Sequence, residues 1–155
     1  MAELIPGVRN AVRAIIIRDN ALLVQHKSYE SGEVRYALPG GAPHPGETLE
    51  QGLVRECQEE IGVAVEVAEL MHVADYHKPR ETTPPTKRQL VEFLFRCCVP
   101  ESYHAQNGPK PDKHQIDVIW LSFDEINQSP LFPPSLKDIL NPAVPNSAVY
   151  LGLIE

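Results

Sequence analysis

The sequence is short of cysteine, of positive charge and of long apolar runs, and each shortage closes a route. Its three cysteines, Cys57, Cys97 and Cys98, are an odd number and two of them are neighbours. They suit neither a disulfide framework nor a zinc site, so a reducing cytoplasm is expected. No apolar stretch approaches the ~20 residues of a membrane-spanning helix, and no membrane partner is expected. The opening MAELIPGVRN lacks a basic stretch followed by an apolar one, so no secretory signal is expected. Lysine and arginine number 14 against 21 aspartates and glutamates, giving a formal net charge of −7. That balance argues against a nucleic-acid polymer as partner, because its backbone demands clustered cations. An anionic ligand would need local positive charge from another source, and a divalent metal would supply it.

What is present fits one globular domain over residues 1–155, long enough to bury a core. Residues 12–17 and 21–26 read as two strands around the turn residues Asp19 and Asn20. RYALP is a short strand ending at Pro39, and the glycines and prolines of 40–46 make a loop. Thr48 and Gln51 form a capping box and Gly62 is a stop signal, which predicts a helix over 49–61. VAVEVAELMHVADY reads as a strand broken near Glu69, LVEFLFRCCV as a central strand and IDVIWLS as the last clear one. FDEINQ and PSLKDIL are short helix candidates. The stretches 76–89 and 100–114 read as long loops that shape a specificity pocket. The tail after Asn141 gives no pattern. This order fits an α/β fold, a mixed sheet covered by helices.

The helix is crowded with carboxylates. On a wheel with Leu49 at zero, Leu53, Val54, Cys57 and Ile61 fall between about 0° and 140°. Glu56, Glu59 and Glu60 fall near ~340°, ~280° and ~20°, an arc that overlaps one edge of the apolar stripe. A solvated charge run would face the other way. Like charges on one turn repel, and a carboxylate aimed at the core edge is costly unless paired. A bound divalent cation removes both penalties, since carboxylates are the hard oxygen ligands that Mg²⁺ and Mn²⁺ prefer.

The stretch GGAPHPGETLEQGLVRECQEEIG resembles the Nudix box. Gly41 opens it, Glu47 follows after five residues, Arg55-Glu56 after seven more, then Glu59-Glu60 and Gly62, so all seven fixed positions match. At ordinary residue frequencies such a match arises by chance on the order of 10⁻⁸ per starting point. One aliphatic position holds Cys57, which packs as a small hydrophobe. Tyr36 stands where the family often has Trp. VIWLSFDEI is similar to the Trp-containing strand and acidic turn that many members carry after the box. The resemblance is specific between Pro39 and Val63 and looser elsewhere. It implies an α/β/α sandwich with a mixed β-sheet.

The resemblance also implies roles. Glu56, Glu59 and Glu60, with the carbonyl of Gly41, would bind Mg²⁺ or Mn²⁺. Arg55 and Glu47 would pair and orient the site, and Glu59 and Glu60 would serve catalysis. The implied reaction is metal-dependent hydrolysis of a nucleoside diphosphate linked to another moiety X, of ADP-ribose or nucleotide-sugar type. The alternative is pyrophosphohydrolysis of nucleoside triphosphates, including oxidised ones. A module that binds a nucleotide without cleaving it is a further alternative, against which the intact glutamates stand. The general base stays open between a box glutamate and Glu92 or Asp117, each of which has an outward-facing strand position as its ordinary explanation. Lys27, Arg35, Lys78, Arg80, Lys87 and Arg88 are candidates for gripping phosphates, with Glu92 a further candidate for substrate contact. The expected partner is a small-molecule nucleotide, and a homodimer stays open. Pro79 lies sixteen residues past Val63, where some family members that split ADP-ribose carry a proline.

Overall fold

The computed structural model describes residues 2–155. Strand β1 (Glu3–Ile15) lies between β5 (Gly40–Gly41) and β7 (Thr86–Cys98). Beyond β7 come β6 (Glu66–Arg80) and β9 (Tyr150–Ile154), completing a five-stranded sheet in the order β5-β1-β7-β6-β9. The sheet is mixed. The β1–β7 and β6–β9 pairs are parallel, and β6–β7 and β1–β5 are antiparallel. A second, antiparallel sheet is built from β2 (Ile17–Arg18), β3 (Ala21–Ser28), β4 (Val34–Ala37) and β8 (Gln115–Ser122). Asp19 and Asn20 both hold positive φ, at 52° and 60°, as a two-residue hairpin between β2 and β3 requires.

Side-chain alternation along β1 sets the layers. Val12 and Ala14 point to one side, where Leu53, Cys57 and Ile61 of helix α1 (Leu49–Ile61) close the core. Ile15 points to the other side and meets Leu136 and Leu140, at and beyond the short helix α2 (Leu136–Ile139). Helices thus flank the sheet on both faces, giving the expected sandwich. Helix α1 has the predicted bounds, the Thr48–Gln51 capping box and a left-handed Gly62 at its end. Cys57 and Cys97 are buried, Cys98 is exposed, and all three are free thiols. Among the described residues no helix is long and apolar enough to cross a membrane.

Five expectations are corrected. Gly40 and Gly41, expected within a loop, pair with Arg13 and Val12 as the two-residue strand β5. Strand β1 starts at Glu3 rather than residue 12. Its first half is exposed on both faces, so no apolar alternation marked it, yet it pairs with β7 from Glu3↔Thr86 onward. The expected loop 76–89 is mostly strand. Lys78 pairs with Arg88 and Arg80 with Thr86, so β6 and β7 form a long hairpin and only residues 81–85 turn. Exposed hairpin strands need backbone pairing but no greasy face, which is why polarity misled there. The tail is not featureless: β9 lies parallel to β6, and Val73 donates its N–H to the Val149 carbonyl. FDEINQ supplies only a 3₁₀ turn, Ile126–Gln128. The break expected near Glu69 is present as register shifts between Val67 and His72.

Candidate active site

The loop before α1 is fixed by two glycines. A Cβ on Gly40, whose φ is +144°, would lie 1.9 Å from the Val12 carbonyl oxygen. A Cβ on Gly41 would lie 2.8 Å from the Glu56 carboxylate. The pair therefore presses backbone against β1 and leaves Glu56 room beside it. The Gly40 N–H donates to Glu60 Oε1 at 2.9 Å.

Arg55 organises the other carboxylates. It donates from Nε and Nη2 to both Glu47 oxygens at 2.8 and 3.0 Å, a bidentate pair. Its Nη1 reaches Glu56 Oε1 at 3.1 Å and Glu59 Oε2 at 3.4 Å. The Arg55 hydrogen bonds and the His44 N–H hold the Glu47 pKa down to about 2. The expected pairing of Arg55 with Glu47 is thus present in the structure.

Glu60 is only 4 % exposed, at the core edge as the wheel predicted. Burial pushes its pKa up to about 7, the Asp112 and Glu56 charges add to this, and the Gly40 N–H and Arg13 oppose it. Its Oε2 has no hydrogen-bond partner among the described residues. Glu56 and Glu60 line a cleft of about 410 Å³ with Gly41 and Asp112.

Asp112 went unnoticed in the sequence. The loop 100–114 carries it in by capping α1. Gly108 N–H donates to the Glu60 carbonyl at 3.0 Å and Lys110 N–H to the Glu59 carbonyl at 2.8 Å. The Gln115 side chain also reaches the Glu60 carbonyl, at 2.9 Å, and the Tyr103 hydroxyl reaches the Ile61 carbonyl at 2.7 Å. These donors satisfy the last carbonyls of the helix, which have no partner within it. A Cβ on Gly108 would come within 2.4 Å of the Glu59 carbonyl oxygen. Burial alone would raise the Asp112 pKa, but the Lys27 ammonium, 2.7 Å from Oδ2, outweighs it and lowers the pKa.

The other sequence candidates divide. Glu92 does not face outward: it is 5 % exposed and accepts from Arg13 Nε at 2.9 Å. Arg13, also missed, has the ordinary look of an alternating strand residue. Asp117 faces outward, is exposed and pairs with His26. Lys27 is 7 % exposed and tied to Asp112. Arg80 and Arg88 line the carboxylate cleft, and Lys78 borders both it and a neighbouring cleft. In that neighbour, of about 70 Å³, the Arg35 guanidinium lies 4.0 Å over the Phe132 ring and 5.0 Å over Tyr29. Tyr76, 6 % exposed, lines it with a hydroxyl that has no partner among the described residues.

The carboxylates fit a hard divalent cation in donor type. Among the described residues no three of them close around one point, and Arg55 contacts both Glu56 and Glu59. Arg55 Nη1 takes only one oxygen of Glu56 and one of Glu59, so Glu56 Oε2, Glu59 Oε1 and Glu60 Oε2 have no hydrogen-bond partner among the described residues and could hold an ion. The bare arrangement, an acidic triplet with one buried member, is the kind that a cation stabilises.

The family model described as NUDIX domain matches residues 7–141. A MutT-like protein of Streptomyces ambofaciens is 29% identical over 144 residues, covering 92% of this chain and 83% of the relative. The CTP pyrophosphohydrolase of Escherichia coli is 30% identical over 126 residues, covering 81% and 84%. A NUDIX hydrolase structure from Nitrosomonas europaea superimposes with a TM-score of 0.68 at 23% identity, covering 94% of this chain and 78% of that one.

Proposed function

We propose, from the premise that this chain belongs to the NUDIX family and is a pyrophosphatase of it, that it hydrolyses a nucleoside diphosphate linked to another moiety X with the help of Mg²⁺ or Mn²⁺. The observation that carries the reading is the convergence of Glu56, Glu60, Asp112 and the Gly41 backbone in one cleft whose other wall is cationic. Gly41, Glu56, Glu59 and Glu60 would hold the metal. When bound, it would polarise the phosphoryl oxygens and make an attacking water more acidic.

The chain's own groups do the rest. Arg55 and Glu47 brace the helix face so that the glutamates stay converged. Lys78, beside Asp112 in the same cleft, meets the diphosphate. Asp112, kept ionised by Lys27, joins Glu59 and Glu60 as a candidate to accept the water proton. It is preferred to Glu92 and Asp117 in that role because it lines the carboxylate cleft, whereas Glu92 lines only the neighbouring cleft and Asp117 lines neither. The neighbouring cleft, where Arg35 already covers the Tyr29 and Phe132 rings, suits a small polar group of the substrate next to the diphosphate. In the reaction water adds to one phosphorus, the bridging P–O bond breaks, and the halves leave as two monophosphates.

A second reading, release of pyrophosphate from nucleoside triphosphates, is favoured by the surplus of cations in the cleft. A product assay separates them. The protein is incubated with Mg²⁺ and ADP-ribose, nucleotide sugars, dinucleotides and nucleoside triphosphates, and products are resolved by chromatography. Paired monophosphates support the first reading and pyrophosphate the second. No product from any compound overturns both and favours a binding module.

A further inference from the structure

Four cations stand unpaired on one face of the five-stranded sheet. Arg9 of β1, Lys78 and Arg80 of β6, and Arg88 of β7 all line the carboxylate cleft. The register explains why they share a face. Lys78 is directly opposite Arg88, Arg80 follows two residues on, and Arg9 is opposite Leu90. None makes an ion pair among the described residues, although the chain has 21 carboxylate side chains. Arg80 donates only to Thr86 Oγ1 at 3.3 Å and Arg88 only to the Pro6 carbonyl at 3.4 Å. Like charges directly opposite across two strands destabilise a sheet. Surrounding protein, and then the charges of Arg9 and Arg80, lower the Arg88 pKa.

Crowding of this kind is relieved when an anion arrives. The bridging diphosphate of the substrate proposed above does not account for all four. Its oxygens would lie against the box carboxylates through the metal, and of the four unpaired cations Lys78 is the one that also lines the neighbouring cleft, where Arg13 is already tied to Glu92. Arg80 and Arg88 lie toward the tip of the β6–β7 hairpin, with Arg9 beside them on β1, and all three remain without an anion among the described residues. Arginine forks match phosphate oxygens two at a time.

We propose that Arg9, Arg80 and Arg88 form a subsite for a further phosphate, so that the preferred substrate is a small nucleotide carrying at least one phosphate beyond the two joined by the cleaved bond. This rests on the hydrolase reading and narrows X to a phosphorylated moiety, whether a phosphate chain or a phosphorylated group.

The test uses the full chain with Mg²⁺ and dinucleoside polyphosphates that share their nucleosides but carry two, three or four bridging phosphates. For the wild type, kcat/KM rises by about tenfold or more from two phosphates to four, as new charge-assisted hydrogen bonds form. In the double variant Arg80→Gln/Arg88→Gln that ratio falls to about threefold or less. Both residues sit on a solvent-facing hairpin, and a thermal melt checks the fold. A ratio near one in the wild type, or an unchanged ratio in the variant, overturns the subsite. Calorimetric binding of the same series without turnover reads the same ratio. Absence of hydrolysis with the binding ratio intact would therefore refute the hydrolase reading and leave the subsite standing.

Discussion

If Glu60 is a metal ligand as proposed, its burial sets stability against function, and the conflict can be measured. In the metal-free protein burial raises its pKa from 4.5 to about 7. The folded chain therefore keeps a proton there through a pH window in which the unfolded chain has lost it. The sign follows from linkage: a carboxyl whose folded pKa is raised makes the protein lose stability as pH climbs from about 4.5 to about 7. At ~1.4 kcal/mol per pH unit, that gap amounts to about 3 kcal/mol for a group this deeply buried. Glu60→Gln keeps the shape and an acceptor for the Gly40 N–H but carries no charge. Urea denaturation in chelator compares the two proteins across the window. At pH 4.5 they should be similarly stable, because the wild-type side chain is neutral too. Well above pH 7 the variant should be the more stable by up to about 3 kcal/mol. Adding Mg²⁺ or Mn²⁺ at high pH should narrow or reverse the gap, since an ion that binds only the native state stabilises it. The same variant should hydrolyse poorly. A glutamine variant less stable than wild type in chelator at high pH would refute the account of Glu60 as a group held under strain for a cation.

Three further outcomes are expected. Glu59→Gln removes one ligand charge from a partly exposed side chain, so turnover falls about a hundredfold or more while the melting temperature barely moves; turnover near wild type would remove Glu59 from the site. Gly108→Ala places a methyl 2.4 Å from the Glu59 carbonyl oxygen, which costs about 1–3 kcal/mol in denaturant titration and lowers kcat with it as Asp112 shifts; an unchanged kcat would separate the loop from the chemistry. Glu92→Leu strands the Arg13 charge and costs about 3–5 kcal/mol, whereas the double variant with Arg13→Met recovers most of it in a thermodynamic cycle; additive losses would mean the two side chains act independently.

The box and its helix were legible because each signal there is local. The Thr48–Gln51 box, the Gly62 stop and the glutamate spacing act within one or two turns, and the wheel placed Glu60 at the core edge without any tertiary information. The resemblance supplied the sandwich, and the Arg55–Glu47 pair stands as it implied. What went unread is long-range pairing. Arg13 and Glu92 meet across two parallel strands, 79 residues apart in sequence, and each taken alone looks like an outward residue on an alternating strand. Asp112 reaches the site only because Gly108 and Lys110 find the open carbonyls at the end of α1, and nothing in PESYHAQNGPKPDKH marks that docking beforehand. The outer hairpin was misread for a related reason. Apolar periodicity reports burial, not backbone pairing, so strands solvated on a face carry no such mark. The same exposure is what leaves Arg9, Arg80 and Arg88 open to an anion. A buried strand would have forced those cations to find carboxylates or be replaced, whereas solvent-facing strands tolerate their repulsion.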